Sequence, residues 1–447
     1  MLNKDTICAV SSAPGVGAVG IIRVSGSSAI DILNRVFKSR QPFGHALMRH
    51  GFIMDGERKV DEVMAVGFEG EKTYTGEPMA EIFPHGGKMP MMQVLAILEK
   101  AGARPAEPGE FTKRAFMNGK IDLSEAEAVM DFIGAVSSLS AKAAFDQLEG
   151  NLSQTIRSMQ NRLTDTLAMI EAGIEYPEED LESDIKGKVL PVLAELIQEG
   201  TRLIESFQSG RYLKEGFNVC IIGKPNVGKS SLLNALTGKE RAIVTEVEGT
   251  TRDVIEVLYD IKGVPVRYFD TAGIRESQDA VEAMGVDRSL LAIEKADLIL
   301  FAVDGSKPAD ERDAVVFEKI KGKPLVLVGN KADMGTAENF PHIEARVSTS
   351  AVTGHGLVDL EQAIYAAAVK HQQTAESVVI TNARHHHALK DYVNSLRASV
   401  AEFDAGSDLD CISIDLRDAW YHIGEITGEN VSEVIIDRIF ENFCLGK

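Results

Sequence analysis

Over residues 1–118, short runs in which apolar and polar positions alternate read as strands at Thr6 to Val10, Gly20 to Val24, Glu62 to Phe68 and Met79 to Phe83. One helical run, from about Pro90 to Ala101, interrupts them. From about Lys120 the apolar period lengthens to 3.6, through Leu123 to Ile133 and on to Phe145, Leu148, Leu152, Ile156, Leu163, Leu167 and Ile170, which predicts long helices. Pro177-Glu-Glu-Asp180 breaks them, and the pattern resumes from Val189 to Tyr212. Residues 216–372 carry short buried-strand runs typical of a mostly parallel sheet, after which helical patterning returns in Ala383 to Phe403, Cys411 to Thr427 and Ser432 to Phe443. The expectation is a multi-domain α+β and α/β chain: a β-rich domain at 1–118, a helical domain split into 119–215 and 373–447, and an α/β domain inserted at 216–372. Insertion fits because domain termini usually lie close together at the surface. A tail that simply follows the α/β domain is the alternative.

The inserted segment carries the chemistry. Gly223-Lys-Pro-Asn-Val-Gly-Lys-Ser230 follows the apolar run Phe217 to Ile222 and precedes Ser231-Leu-Leu-Asn-Ala-Leu236, with Gly238 as a stop, so a strand enters a glycine loop and leaves as a helix. That is a P-loop in its required context. Backbone N–H groups and the helix N-terminus cradle phosphate, Lys229 supplies a cation, and the Ser230 hydroxyl is offered to Mg²⁺. Val266 to Asp270-Thr271-Ala272-Gly273 ends a second strand in an acid and a glycine suited to a water-bridged Mg²⁺ and the γ-phosphate. Leu325 to Asn330-Lys331-Ala-Asp333 ends a third, and the Asp333 carboxylate can accept from guanine N1–H and its exocyclic amine, a donor pair adenine lacks. Ser350-Ala351, after the strand-like Ala345 to Ser348, closes over the base. Taken singly, the Asp motifs read nearly as well as a strand end with a turn; four motifs in order at the C-terminal ends of parallel strands do not, and they predict a Ras-like P-loop GTPase domain. Between the first two lies Thr245-Glu246-Val247-Glu248-Gly249-Thr250-Thr251-Arg252, where Thr251 offers Mg²⁺ a hard oxygen. The nucleotide-contact set is therefore Asn226, Val227, Gly228, Lys229, Ser230 and Ser231 with Thr245 to Thr251, Asp270 to Gly273, Asn330, Lys331, Asp333, Ser350 and Ala351. The position that often holds a water-orienting glutamine is Ile274, so the candidates for that work are Glu276, Asp279 and Glu282, together with a cation at the loop standing in for an arginine finger.

The 447 residues hold 47 basic and 67 acidic side chains, a net charge of −20, which argues against a broad nucleic-acid surface; an RNA role needs a local basic patch or a basic partner. Cys8, Cys220, Cys411 and Cys444 have no metal-ligand spacing and fit a reducing cytoplasm. No apolar run approaches the roughly 20 residues of a membrane span, and no signal-peptide pattern opens the chain. Gly15-Val-Gly17-Ala-Val-Gly20 matches a dinucleotide fingerprint, but the β-branched Ile21-Ile-Arg-Val that follows predicts a strand where that motif needs a helix. His385-His386-His387 cannot converge on one ion from successive helix positions and reads as a polar helix face. Cys444, fourth from the end, is either a working thiol or a packed one.

The motif order, together with Tyr74-Thr-Gly-Glu, His85-Gly-Gly, Pro108-Gly-Glu-Phe-Thr-Lys to Lys120 and the terminal Cys444-x-Gly-Lys447, closely resembles the MnmE/TrmE family of tRNA-modification GTPases over essentially the whole chain. The resemblance implies a homodimer joined through the N-terminal domain. That domain would bind a 5-formyltetrahydrofolate-type folate at Arg23, Glu81 and Lys120, with Lys447 nearby. It also implies a K⁺ ion held by Asn226, Thr245, Val247 and Thr250, and activation of hydrolysis when two GTPase domains meet. Glu282 matches the family's water-orienting acid, with Arg252 and Arg275 as secondary candidates. Catalytic work would then fall to Glu282, Asn226, Lys229 and Cys444. An FAD-dependent partner resembling MnmG/GidA and tRNA complete the assembly, and a C5 aminomethyl-type group on the wobble uridine is the product. Leu445 stands where the family tail usually has isoleucine, and the three histidines lie where relatives can carry arginines. A ribosome-assembly GTPase of the Era type would need a basic domain with Gly-x-x-Gly after the GTPase domain, whereas residues 373–447 hold thirteen acids, six bases and no such loop. A pure signalling switch gives the N-terminal domain and tail nothing to do.

Overall fold

The structure, a computed structural model, describes residues 5–40, 44–175, 179–243, 256–270, 292–335, 345–369, 378–444 and 446–447, with backbone only at 179–184, 239–243, 256–257 and 270. The chain divides into two compact units, one of Met1–Met130, Leu148–Gln160 and Tyr421–Lys447, the other of Asp131–Gln147 and Asn161–Trp420.

The first unit is built on a seven-stranded sheet of β1 (Ile7–Val10), β2 (Ile22–Ser25), β3 (Phe37–Ser39), β4 (Arg49–Asp55), β5 (Arg58–Phe68), β6 (Met79–Phe83) and β7 (Arg104–Pro105), in the order β3-β4-β5-β6-β2-β1-β7. All pairs are antiparallel except β1 with β7. Helices Ala29–Val36 and Lys88–Lys100 bury Ile32, Leu33, Val94 and Leu98 in one core with Ile22, Val24, Ala80 and Ile82 of the strands. The fingerprint-like glycines form a turn: Gly17 N–H donates to the Gly86 carbonyl, Gly86 N–H to the Ala18 carbonyl, and the strand follows at Ile22 as the β-branched run predicts. The sequence pattern did not resolve the helix Ala29–Val36, β4, or the helix Glu110–Met117.

The second unit holds a seven-stranded sheet of β8 (Phe217–Ile222), β9 (Ala242–Ile243), β10 (Glu256–Ile261), β11 (Val264–Asp270), β12 (Leu298–Asp304), β13 (Leu325–Asn330) and β14 (Arg346–Ser348), in the order β14-β13-β12-β8-β11-β10-β9. From β14 through β8 to β11 every pair is parallel, while β10 is antiparallel to β9 and β11. Chain order changes direction at β8, which has β11 on one side and β12 on the other. That is a topological switch point, where open α/β sheets bind ligands. Val219, Ile221, Val266, Tyr268, Leu300 and Val328 face one core, and Cys220, Ile299, Phe301 and Leu327 the other, as the two-residue strand period requires.

In the same unit the helix Glu179–Glu215 begins ten residues before the expected start at Val189, so Glu179 and Asp180 are helical where a break was expected. Acids in a first turn meet the positive end of the helix dipole, which favours that extension. The segment after the inserted sheet returns onto this helix. Gly210 leaves no room for a Cβ beside the Ile380 carbonyl, and one on Gly200 would lie 2.6 Å from Val393 of helix Ala383–Ala405. The helices Glu179–Glu215 and Ala383–Ala405, which lie on either side of the second sheet in the sequence, thus pack together. On that returning helix His385 is fully buried, sharing the inward face with Leu389 and Tyr392, and His386 stacks on Phe207 at 4.1 Å between ring centroids. The three histidines are therefore not a polar face, because the i, i+4, i+7 spacing carries His385 into the core.

Candidate nucleotide site and N-terminal anion site

At the end of β8 the chain turns through residues 223–228 into the helix that starts at Lys229 and kinks at Gly238, where φ is 47°. A Cβ on Gly223 would collide with the Ala302 carbonyl of the neighbouring strand, which requires glycine there. Asn226 and Gly228 have φ of 64° and 93°. Asparagine is one of the few side-chain-bearing residues that tolerate this region. The result is a tight loop whose amides precede a helix N-terminus, an arrangement suited to phosphate. Lys229 Nζ donates to the carbonyls of Gly223 and Lys224, each at 2.9 Å, which keeps its ammonium inside the loop. Ser230 and Ser231 are exposed on the first helical turn.

The Asn-Lys-x-Asp strand end is bolted to this loop. Asn330, 2% exposed, donates from Nδ2 to the Val227 carbonyl at 2.9 Å and accepts through Oδ1 from Ala351 N–H at 3.3 Å. Lys331, with φ of 65°, donates from Nζ to the Asn226 carbonyl at 2.8 Å and to Asp304 Oδ2 at 2.9 Å. Burial pushes the Asp304 carboxyl up, but hydrogen bonds from Ser306 and Lys331 outweigh it and hold the pKa at about 2. Asp333 is exposed on the short turn Ala332–Met334, and Ser350 is buried with its N–H donating to the His355 carbonyl. Asp270 ends β11 with its backbone opposite Ile221 of β8, two residues before the loop. The structure thus brings together Asn226, Val227, Gly228, Lys229, Asn330, Lys331, Ser350 and Ala351. Thr245, Glu246, Val247, Glu248, Gly249, Thr250, Thr251, Thr271, Ala272, Gly273 and Glu282 lie outside the described residues, as do Arg252, Ile274 and Arg275. Sequence reasoning missed Asp304, and also Lys224, whose ammonium reaches Asp310 at 2.8 Å and Asp313 at 2.7 Å. The signal for Asp304 was the Asp-Gly-Ser turn closing the apolar run Leu298 to Val303.

In the first unit, Arg23 and Glu81 sit opposite each other on β2 and β6, and Arg23 Nε donates to Glu81 Oε1 at 2.9 Å. The Arg23 guanidinium lies 5.7 Å from the Tyr74 ring, whose hydroxyl meets Thr112 Oγ1 at 2.9 Å. The C-terminal tail is fixed beside them. Phe111 N–H donates to the Lys447 carbonyl at 3.1 Å, and Ser11 Oγ to the Gly446 carbonyl at 2.8 Å. Lys120 Nζ donates to the Glu71 carbonyl at 3.4 Å, on the loop that carries Tyr74. Arg23, paired with Glu81, and Lys120 therefore border one loop, residues 71–77, while Lys447 is placed only through its carbonyl on Phe111, next to the Thr112 that meets Tyr74. The two cations on that loop, Arg23 and Lys120, with the Glu81 carboxylate that Arg23 binds, are chemically compatible with a ligand that has a carboxylate tail and a donor edge. Beneath that loop, buried Arg114 binds Asp5, Glu77 and Glu110 at 2.9, 3.2 and 2.9 Å. Cys444 is an exposed free thiol, and its carbonyl accepts from Gly109 N–H at 3.4 Å. Cys8, by contrast, is buried, and that burial pushes its thiol up to about 12.

A parallel sheet with its phosphate loop at the switch point, clamped to an Asn-Lys-x-Asp strand end, defines a P-loop GTPase. Residues 6–120 match the family model for the GTP-binding protein TrmE N-terminus, and residues 123–444 that for the MnmE helical domain. Proteins named tRNA modification GTPase MnmE from Acetivibrio thermocellus and Alkaliphilus metalliredigens are 42% and 40% identical, each over 100% of both chains. The chain belongs to the MnmE family of tRNA modification GTPases. A crystal structure of Aquifex aeolicus Era bound to GDP·AlF4⁻ is similar over 40% of this chain and 65% of that one, at 29% identity and a TM-score of 0.29, a level that leaves the fold argument to the strand order above. Among the described residues no helix is long and apolar enough to cross a membrane.

Proposed function

We propose that this chain hydrolyses GTP to drive carboxymethylaminomethyl-type modification at C5 of the wobble uridine of certain tRNAs. It would act in the cytoplasm as a homodimer with an FAD-dependent partner resembling MnmG/GidA. A 5-formyltetrahydrofolate-type folate would supply the one-carbon unit at Arg23, Glu81, Lys120 and Lys447. The observation that carries the reading is the clamp in which Asn330 and Lys331 hold the Val227 and Asn226 carbonyls, because it joins base recognition to the phosphate loop in a chain matched to this family end to end.

Within the site, Lys229 neutralises β/γ-phosphate charge, and Asp333, exposed beside the loop, accepts from the guanine edge. Ser230 and Thr251 would hold Mg²⁺. Asn226, Thr245, Val247 and Thr250 would hold K⁺, which supplies positive charge beside the phosphates in place of an arginine finger. The exposed Asn226 amide fits that assignment, since its backbone carbonyl is engaged by Lys331. Glu282 would orient the attacking water that Ile274 cannot. The four-domain division at 118, 215 and 372 belongs to the same reading.

The test combines the chain, the flavin partner, substrate tRNA, GTP, a reduced folate and K⁺, with nucleoside mass spectrometry of the wobble uridine and phosphate release as readouts. C5-modified uridine that depends on GTP hydrolysis is the expected result. Phosphate release without modified uridine in the complete mixture would reduce the reading to a GTPase of other purpose.

A further inference from the structure

At the opposite end of the GTPase sheet from the phosphate loop, an open cavity of about 470 Å³ is lined by Arg211, Arg267, Lys295 and Lys323, with Glu294 and Asp297 as its acids. Its floor is the start of β8, where Asn218 pairs with Arg267 of β11. Five residue steps at about 3.3 Å each separate Asn218 from Gly223, so the cavity lies roughly 16 Å from the nucleotide loop. The two sites share no residue.

The cations outnumber the acids, and one acid is already committed. Asp297 binds Arg211 Nη2 through Oδ1 at 2.7 Å and accepts the Asn218 N–H through Oδ2 at 3.0 Å. Lys323 is held in place by donating to the backbone carbonyl of Glu294 at 3.3 Å, which leaves that carboxylate uncommitted to it. With that pair set aside, Lys295 and Lys323 against Glu294 carry a net positive charge, and Arg267 adds its guanidinium to the wall. A chain of net charge −20 that gathers cations on a strand and on the turns entering β12 and β13 has built the local basic patch that RNA binding requires. Enclosed small-molecule sites are mostly apolar; this cavity is open and offers charged heads on rigid elements, which suits a run of phosphodiesters.

We propose that this cavity docks the phosphate backbone of the tRNA substrate, an inference that rests on the tRNA reading above. The experiment measures binding of a fluorescent tRNA to the full-length chain from 50 to 300 mM KCl, for the parent, for Lys295→Ala/Lys323→Ala and for Lys295→Arg/Lys323→Arg. Each phosphate that is no longer neutralised lowers the slope of log K against log[salt] by about 0.7–0.9, so the alanine pair should lose about 1.6 and bind roughly 40-fold more weakly at 0.1 M salt. The arginine pair should bind as the parent does, and tRNA-free GTP turnover should be unchanged in both. Parental affinity and slope in the alanine pair, with tRNA bound normally by the parent, would overturn the docking site and leave the tRNA reading standing. Pyrophosphate that binds the parent but not the alanine pair, while tRNA binds both equally, would also overturn it in favour of a small-anion site. A parent that turns over GTP but binds no tRNA would overturn both.

Discussion

Asp304→Asn tests the clamp at its least conspicuous member. Asp304 lies under the Lys331 ammonium at 2.9 Å, and Lys331 in turn holds the Asn226 carbonyl at 2.8 Å. Net of burial, the hydrogen bonds from Ser306 and Lys331 lower the Asp304 pKa from 3.8 to about 2. At about 1.4 kcal/mol per unit this corresponds to about 2 kcal/mol of folded-state stabilisation. Because the folded pKa is depressed, the contribution is fully present above pH 4 and is lost as pH falls through about 2. An asparagine keeps one acceptor for Ser306, and the Lys331 side chain is 31% exposed, so about half of that figure, ~1 kcal/mol, should be lost in practice. If that energy restrains Asn226, GDP should leave the variant roughly fivefold faster at pH 7, read by stopped-flow with a fluorescent guanine nucleotide. Denaturant unfolding should show a stability gap between parent and variant that is constant from pH 8 to 5 and narrows below pH 4. Equal release rates, or a gap as wide at pH 3 as at pH 7, would refute the reasoning.

Exchanging Na⁺ for K⁺ at constant ionic strength should raise GTP turnover severalfold in the parent and leave Asn226→Ala unmoved. Because φ at Asn226 is 64°, Asn226→Gly serves as the strain control, and a glycine variant that recovers the K⁺ response would sink the ligand assignment. Arg114→Met should destabilise the folded chain by about 3–5 kcal/mol in urea unfolding, since it strands Asp5, Glu77 and Glu110 around a buried site. Arg23→Ala should weaken binding of a reduced folate to the intact chain at least tenfold by calorimetry while leaving GTP turnover unchanged; parental folate affinity in that variant would remove Arg23 from the site.

Legibility in the sequence followed the range of the interaction. The phosphate loop was readable because its glycines answer local demands, such as the Ala302 carbonyl against Gly223, and because strand, loop and helix are contiguous. The base motif was readable for the same reason, although the bond from Asn330 to Val227, across 103 positions, was not. Lys224 with Asp310, separated by 86 positions, and the burial of His385 also depend on partners that only tertiary packing supplies. In the first unit β4 was missed because Gly51 and His50 interrupt its apolar alternation, yet Gly51 is needed there to clear the Lys38 carbonyl. The helix Glu110–Met117 hid behind Gly109, which starts it from φ of 68° with no side-chain cap. The early restart at Glu179 was misjudged because an acidic cluster after a proline reads as a loop until its place at a helix N-terminus is known.

The clamp also constrains how base recognition and hydrolysis can be related. Asn330 ties Val227 to Ala351, Gly305 N–H donates to the Asn330 carbonyl at 2.7 Å, and Lys331 ties Asn226 to Asp304. Between the Asn-Lys-x-Asp strand end and the loop residue proposed for K⁺ there is thus one side chain and one carbonyl. On the proposed reading, a base that engages Asp333 restrains the turn Ala332–Met334 and with it Lys331, which precedes that turn and holds the Asn226 carbonyl. Guanine specificity should therefore appear in turnover as well as in affinity. An inosine triphosphate, which lacks only the exocyclic amine, should show a smaller K⁺ enhancement than GTP even at saturating concentration. An equal enhancement would mean that the base and the activating loop are read independently despite the bonds that join them.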